Sequence, residues 1–530
     1  MIKEFLSHLR DQNIDISLSG ENLDINFDEE IPVEILHEIK EKKSEILTFL
    51  ASLESSVKEH SEIPVLTQQD GYALSSPQKR MWVLSQFNDA NKAYNEHGVY
   101  RFVGAVDISA LEAAFLAVVN RHEILRTVFI EEDGEVKQYV KTAQDLGIEL
   151  KQVDLSANEN QQEVLRDLVL RDVETSFNLS TGPLIMAKLI KLGDDDFVFG
   201  YVMHHMISDG WSLEVLIREL FTFYEAFSNG TTPEIEPLRI QYKEFAAWQQ
   251  NQLVNGDFKE HREYWLGQFE GELPELEISG DKPRPKIKTY NGGHSSIMFD
   301  RKLTESIKSL ANAEGCTLFM VGLAVVKGLL YRYTNQTDMI IGTGLAGRDH
   351  VELENQIGYY LNTLALRTRF DSNYNFGQLL AAIKEVTLKA YQYQTFPFDE
   401  LIGSLSLKHD LSRSALFDVS VVLQNTDVTL ATDKEATALK NIEVSGFEAE
   451  GNQNSKFDLS FTYEEIDGQL YTSLVYNSDI YSKEYADRML VHLKNFFATV
   501  TQEVSTPIVN INYLTADEER QILSEFNNTK

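Results

Sequence analysis

The residues best suited to chemistry stand together in the run His204-His205-Met206-Ile207-Ser208-Asp209-Gly210. Imidazole takes up and releases protons near neutrality, so a histidine placed against a cavity can serve as an acid or a base. Adjacent residues on a strand point to opposite faces, so one of the pair can face a cavity while the other packs inside. A carboxylate four residues on, followed by glycine, suits a turn in which Asp209 holds a cation or a backbone donor and locks the loop. The spacing fits one working acid/base and one structural anchor. A satisfied structural pair is the plainer alternative. Zinc is a poor fit, because the histidines are adjacent rather than at i, i+4 and the chain has a single cysteine. Gly342-Thr343-Gly344-Leu345-Ala346-Gly347 lacks the Lys-Ser/Thr of a phosphate loop and reads as a strand running into a turn.

The flanking pattern places that run between a strand and a helix. Phe197–Met203 is β-rich, and Leu213, Leu216, Ile217, Leu220 and Tyr224 recur at helical spacing. Upstream, Val99–Val103 reads as a strand and Ile108–Asn120 as a helix capped by Asp107. Residues 1–53 form a separate pattern: a short helix at 2–10, then two alternating runs (Ile14, Ile16, Leu18 and Leu23, Ile25, Phe27) across Ser19–Asn22, then helical spacing from Pro32 to Leu53. Residues 54–72 are polar and aperiodic, a linker.

The chain has 530 residues, 43% hydrophobic and 10% aromatic, which suits several folded lobes rather than a disordered polymer. A net charge of −34 disfavours nucleic acid and anionic membrane as partners. Cys316 has no second cysteine to pair with and reads as a buried, inert thiol. The N-terminal residues carry charges within their first apolar run, unlike a signal peptide, and the longest apolar stretch, Thr317–Leu330, is short and broken by Lys327. The sequence thus predicts a cytoplasmic protein.

From Ala73 onward the chain resembles the condensation domains of nonribosomal peptide synthetases. Seven motifs carry the resemblance in order: Ser76–Leu84, Arg121–Phe129, Met203–Ser212, Tyr242–Trp248, Ile357–Thr363, Tyr393–Asp399 and, more weakly, His409–Ser414. Tyr359-Tyr360-Leu361 departs from the usual Phe/Phe-Val, and Ser414-Ala415 from Asn-Pro; neither touches the histidine run. The resemblance implies an α/β (α+β) fold of two chloramphenicol-acetyltransferase-like lobes in a V, at 73–249 and 250–507, with a tunnel at their junction. It implies amide formation between a donor acyl or peptidyl thioester and an acceptor aminoacyl thioester. The chain would need no cofactor of its own; 4'-phosphopantetheine arms would come from the carrier proteins. His205 is then expected to face the cavity and handle the amine proton, with His204 packing behind it. Asp209 would be an anchor paired to an arginine, Arg126 or Arg284. Gly210 would allow close approach of substrate and offer its N–H to an oxyanion, and Trp211 and Asn362 would belong to the tunnel region. The run Ile207–Ser212 followed by Val215-Leu216 looks like the subtype joining an L donor to an L acceptor. An acyl-CoA-dependent N-acyltransferase and a catalytically silent recruitment platform are the competing readings.

Residues 1–53 resemble the N-terminal docking domains of tubulysin-synthetase type, α-β-β-α-α in outline. There a hairpin edge receives the C-terminal tail of an upstream subunit as an added strand. Asn22, Leu23, Asp24, Ile25, Asn26 and Phe27 would form the receiving strand. Its acidic surroundings (Asp15, Asp24, Asp28, Glu29, Glu30) suggest a more apolar tail, or one that reaches Lys40, Lys42 and Lys43. Residues 508–530 resemble the linker into an adenylation domain, which implies an adjoining adenylation domain beyond Lys530.

Overall fold

The computed structural model describes residues 14–19, 22–27, 39, 42, 62–86, 88–407, 410–424, 439, 442–447 and 453–525. The expected helix at 2–10, most of the helical segment after Pro32, and His409 lie outside the described residues. Two compact units divide the chain, Met1–Pro64 and Val65–Lys530, and the expected linker straddles their boundary.

In the first unit, β1 (Ile14–Ser19) pairs antiparallel with β2 (Asn22–Phe27). The register sets Ile14 opposite Phe27, Ile16 opposite Ile25 and Leu18 opposite Leu23. The register thus sets the apolar positions of the two runs opposite one another, in step with the period-two pattern of the sequence.

The second unit begins with β3 (Tyr72–Ala73), α1 (Ser76–Ser85), α2 (Asn88–Ala93), β4 (Asn95–Gly104), α3 (Ile108–Arg121), β5 (Thr127–Glu132), β6 (Glu135–Val140) and β7 (Leu150–Asp154). It continues with α4 (Gln161–Val173), β8 (Ile185–Gly193), β9 (Asp196–His204), α5 (Gly210–Ser228), α6 (Tyr242–Asn255), α7 (Lys259–Gln268) and β10 (Asn291–Met298). Then follow α8 (Arg301–Ala313), α9 (Leu318–Thr334), β11 (Asp338–Leu345), β12 (Asn362–Arg369), α10 (Phe376–Gln392), α11 (Phe398–Ser404) and β13 (Val419–Gln424). β14 (Ile442–Gly446), β15 (Gln453–Asn454), β16 (Leu459–Ile466), β17 (Gln469–Asn477), α12 (Lys483–Val500) and α13 (Ala516–Arg520) complete it. Asp107 caps α3 as expected, its carboxylate accepting the Ala110 N–H.

Two mixed sheets centre the two lobes. One has the order β14-β4-β9-β8-β7, the other β12-β11-β13-β16-β17-β10-β15, and β3-β6-β5 forms a small third sheet. β14 belongs by sequence to the second half of the chain, yet it pairs with β4 in the first-lobe sheet. The expected division after Gln249 falls inside α6. Among the described residues no single helix is long and apolar enough to cross a membrane. α9 is apolar nearly all round and is buried in the second-lobe core. Lys327 is buried with it, because its Nζ donates to the Leu366 carbonyl (2.7 Å) and Thr368 Oγ1 (2.6 Å). Cys316, expected to be buried, is half-buried at the turn between α8 and α9.

Candidate active site

β9 carries the chain to the site. Its residues are buried almost throughout, and His204 ends it. A 3-10 turn, His205–Ile207, follows, and Asp209 then caps α5, accepting the Ser212 N–H at 2.9 Å and the Ser212 hydroxyl at 2.7 Å. The two imidazoles diverge. His204 is fully buried, its ring edge-on to Phe177 at 6.3 Å, and its Nδ1 accepts the Met206 N–H at 3.0 Å. The His204 proton therefore sits on Nε2, which is buried without a partner among the described residues. Burial first, and then the neighbouring His205 and Lys456, push His204 down to about 3, so it stays neutral.

His205 turns the other way, between Tyr359 (ring centroids 4.7 Å) and Tyr94 (6.2 Å). Its Nδ1 lies 2.6 Å from the Ser208 carbonyl, which only accepts, so Nδ1 carries the proton and Nε2 keeps the lone pair of the neutral ring. It is 5% exposed, so the face expected to be open is narrow. Burial lowers its pKa and Lys456 adds to that, while Glu96, the Ser208 carbonyl and Asp209 push back.

Asp209 is an anchor, with a different partner from either arginine expected. Arg348 grips it with two nitrogens, at 2.9 and 3.0 Å, and both side chains are buried. Arg348 also donates to Ser212 Oγ (3.0 Å) and to the Leu353 and Gln356 carbonyls (each 3.1 Å), and its guanidinium lies 4.5 Å from the Tyr360 ring centre. The Tyr360 N–H completes the carboxylate at 3.0 Å. Arg126 is not that partner, since its guanidinium is spent on the Lys141 (2.7 Å) and Asn120 (3.3 Å) carbonyls. Neither is Arg284, which pairs with Asp458 across the second lobe. The overlooked signal was the glycine-rich run: it is β11 followed by a turn, and it delivers Arg348. Gly347 has φ +64°, and a Cβ there would stand 2.0 Å from the Tyr360 carbonyl oxygen.

Gly210 is the first residue of α5 and is not in the left-handed region, so a tight turn is not what calls for glycine. Open space lies where its Cβ would be. The Trp211 indole donates to the Glu354 carbonyl at 2.8 Å, tying the start of α5 to the loop before β12. Asn362, expected in the tunnel wall, has its amide engaged as a clamp. Its amide donates to the Gln394 (2.6 Å) and Phe396 (2.9 Å) carbonyls and accepts the Phe398 N–H (3.0 Å). A cavity of about 900 Å³ is lined by Phe269, Leu276, Ile340, Leu405 and Phe417 and by no residue of the histidine run.

Side chains of the other motifs bond to the histidine run, to α5, to the segment around Tyr359, or to one another. Gln78 donates to the Met206 carbonyl at 3.3 Å. Ser75 and Tyr242 share a 2.7 Å hydrogen bond, and the Tyr242 hydroxyl reaches the Tyr359 carbonyl at 2.7 Å. His122 bonds Glu219 on α5 at 2.7 Å. Arg80 pairs with Asp399 at 3.2 Å. Glu96, which no motif contains, stands directly beside His205, and Lys456, also outside the motifs, is paired with Glu96. Glu96 Oε1 lies 3.2 Å from His205 Nε2 and 3.0 Å from Lys456 Nζ.

Comparison with known proteins agrees with this layout. The family model for the condensation domain matches residues 68–523, and that for the TubC N-terminal docking domain matches residues 2–51. Tyrocidine synthase 3 of Brevibacillus parabrevis is 33% identical over 500 residues, covering 94% of this chain and 7% of its own length. Bacitracin synthase 2 of Bacillus licheniformis is 32% identical over 530 residues, all of this chain and 20% of its own. The chain thus spans a fifth or less of these relatives. Among solved structures, the X-domain from teicoplanin biosynthesis superposes with a TM-score of 0.77 at 24% identity, covering 86% of this chain and 100% of that one. The first condensation domain of the calcium-dependent antibiotic synthetase gives 0.68 at 18%, covering 85% and 100%. At these identities the structures speak for the fold alone.

Proposed function

The chain belongs to the condensation-domain family of nonribosomal peptide synthetases, amide-forming acyltransferases, and from that premise we propose that it joins a donor acyl or peptidyl thioester to an acceptor aminoacyl thioester, both held on carrier proteins. The observation that carries the reading is the fixed tautomer of His205: with Nδ1–H given to the Ser208 carbonyl, Nε2 is the basic atom.

The chemistry asks little of that base before attack. An α-amine has a pKa near 8, so about a tenth is already neutral at pH 7, and freeing the rest costs roughly 1.4 kcal/mol. The amine nitrogen attacks the thioester carbonyl and the C–N bond forms. His205 Nε2 takes the ammonium proton, the C–S bond breaks, and that proton passes to the departing pantetheine thiolate. Alignment of two tethered arms supplies several kcal/mol, and a positioned base about 10²–10⁴-fold. The first N–H groups of a helix lack intrahelical partners, so Gly210 at the start of α5 offers a donor to the oxyanion, with open space beside it. The pantetheine arms belong to the substrates; the chain needs no cofactor of its own for this reaction.

We assign residues 1–53 to docking, with Asn22–Phe27 as the strand that receives an upstream subunit's C-terminal tail; the open hairpin pair among the described residues supports this. The motif Ile207–Ser212 supports an L donor joined to an L acceptor. Mass spectrometry of product formed from two loaded carrier proteins tests the reaction. His205→Ala should abolish it, and full retained rate sinks the role of His205. Product from acyl-CoA in place of a loaded donor carrier would favour the acyltransferase reading. Deleting 1–53 should abolish transfer from the upstream subunit and spare turnover with excess free donor carrier. A D-configured donor should be the poorer substrate.

A further inference from the structure

Glu96 lies on β4 in the first-lobe sheet, and Lys456 follows β15 at the edge of the second-lobe sheet. They meet at 3.0 Å, and the same carboxylate oxygen lies 3.2 Å from His205 Nε2. Lys456 also stands 5.3 Å from the centre of the Tyr94 ring, which neighbours His205. In the neutral ring Nε2 presents a lone pair, and a lone pair beside a carboxylate gains nothing. Once Nε2 is protonated, the same contact becomes an ion pair. The arrangement therefore favours the state His205 reaches after it has taken a proton.

We propose that Glu96 is a positioning residue that stabilises the imidazolium of His205 formed when the acceptor amine gives up its proton, and that Lys456 keeps this from happening before substrate arrives. This rests on the reaction proposed above. Glu96 alone would hold His205 protonated and useless as a base. Lys456, a like charge to the imidazolium, offsets it, so the resting ring is neutral and only modest reorganisation follows proton transfer. Glu96 does not take the proton itself. Burial would raise its carboxyl, but Lys456 and then His205 outweigh that and hold it at about 2. The other groups facing His205 are accounted for: His204 stays neutral, Asp209 is paired with Arg348, and Tyr94 and Tyr359 present aromatic rings.

The full chain, labelled with ¹³C at histidine Cε1, tests this without substrate. The His205 signal is identified by its loss in His205→Gln, and its pKa is read by NMR titration. Glu96→Gln should lower that pKa by roughly one unit and Lys456→Gln should raise it by a similar amount, as expected for removing an opposite or a like charge within a few ångströms. The double variant should return close to the parent, and Glu96→Asp, which keeps the charge, should stay near it. An unchanged or raised value in Glu96→Gln, or shifts in the same direction in both single variants, overturns the proposal. If Glu96→Gln does not fold, Lys456→Gln and Glu96→Asp still decide the sign. Amide formation measured on loaded carrier proteins is a separate readout: Glu96→Gln should lower kcat roughly 10-fold or more with the acceptor KM little changed, by the Brønsted dependence of general-base catalysis. Absence of turnover in the parent chain with intact titration shifts would overturn the reaction and leave the charge arrangement standing.

Discussion

Replacing Arg348 by methionine removes one half of a buried ion pair and leaves the Asp209 carboxylate without a counter-charge. Both side chains are 2% exposed, so solvent cannot make up the loss. Stranding one partner of such a pair costs about 3–5 kcal/mol. With a urea dependence of roughly 3 kcal/mol per molar for a chain of this size, the unfolding midpoint should fall by roughly 1–1.7 M. The carboxylate keeps its Ser212 and Tyr360 hydrogen bonds, so the loss is mainly that of the charge partner. The double variant Arg348→Met/Asp209→Asn should therefore recover a substantial part, because neither charge is then buried alone. Arg348→Lys should fall between, since an ammonium cannot form the two-nitrogen grip. Urea unfolding of the parent, these three variants and Asp209→Asn alone, followed by fluorescence, is the assay. A cost below about 1 kcal/mol for the single variant, or strictly additive effects in the double, would refute the account of Asp209 as a charge-neutralised anchor. The same variants should lose turnover, because Asp209 ends the turn whose Ser208 carbonyl orients His205.

Acid should destabilise the fold through His204. Its folded pKa, about 3, lies below the unfolded value of about 6.5, so the unfolded chain binds the proton first between those values. Its contribution is complete above about pH 6.5 and is lost as pH falls toward 3, at about 1.4 kcal/mol per pH unit. Urea midpoints between pH 4.5 and 7.5 should show a shallower slope in His204→Asn. Two glycines should part company. Gly347→Ala needs a left-handed alanine and drives its Cβ onto the Tyr360 carbonyl, so it should cost about 2 kcal/mol or more. Gly210→Ala meets open space in a helix and should keep or gain up to about 1 kcal/mol. It should nevertheless slow amide formation if substrate approaches there; equal loss of stability in both variants would contradict the structure.

Local patterns were readable because their causes are local. Alternation in Ile14–Leu18 and Leu23–Phe27 needs only the two-residue period of a strand, and Asp107 caps α3 through a contact three residues away. The strand, turn and helix around His204–Gly210 were legible for the same reason. Arg348 was not, since it is 139 residues from Asp209 and nothing in composition or period links them. Arg126 lies inside a recognised motif and Arg284 in the run Asp281–Pro285, but neither placement says which carboxylate an arginine reaches. β14 returning to pair with β4 is equally invisible to any local window. So is Glu96, one acidic residue on a strand whose partner arrives from the other sheet.

The structure also explains why seven ordered motifs were informative when the histidine run alone was weak. Most of their conspicuous side chains face one another rather than an open cavity. Gln78 holds the Met206 carbonyl, Tyr242 joins Ser75 to the Tyr359 carbonyl, His122 ties Glu219, and Asn362 ties the chain before α11. Distant residues are thus committed to fixing the histidine run, the segment Ile357–Asn362 and the elements around them, and the side chains that do so must be of a particular type to satisfy a buried polar partner. A pair of histidines can arise anywhere, but a run held by Gln78 at Met206 and by Arg348 and the Tyr360 N–H at Asp209 requires partners from both lobes of the chain. The chemistry itself then depends on few atoms: Nε2 of His205, the carbonyl that fixes its tautomer, and the charge set beside it.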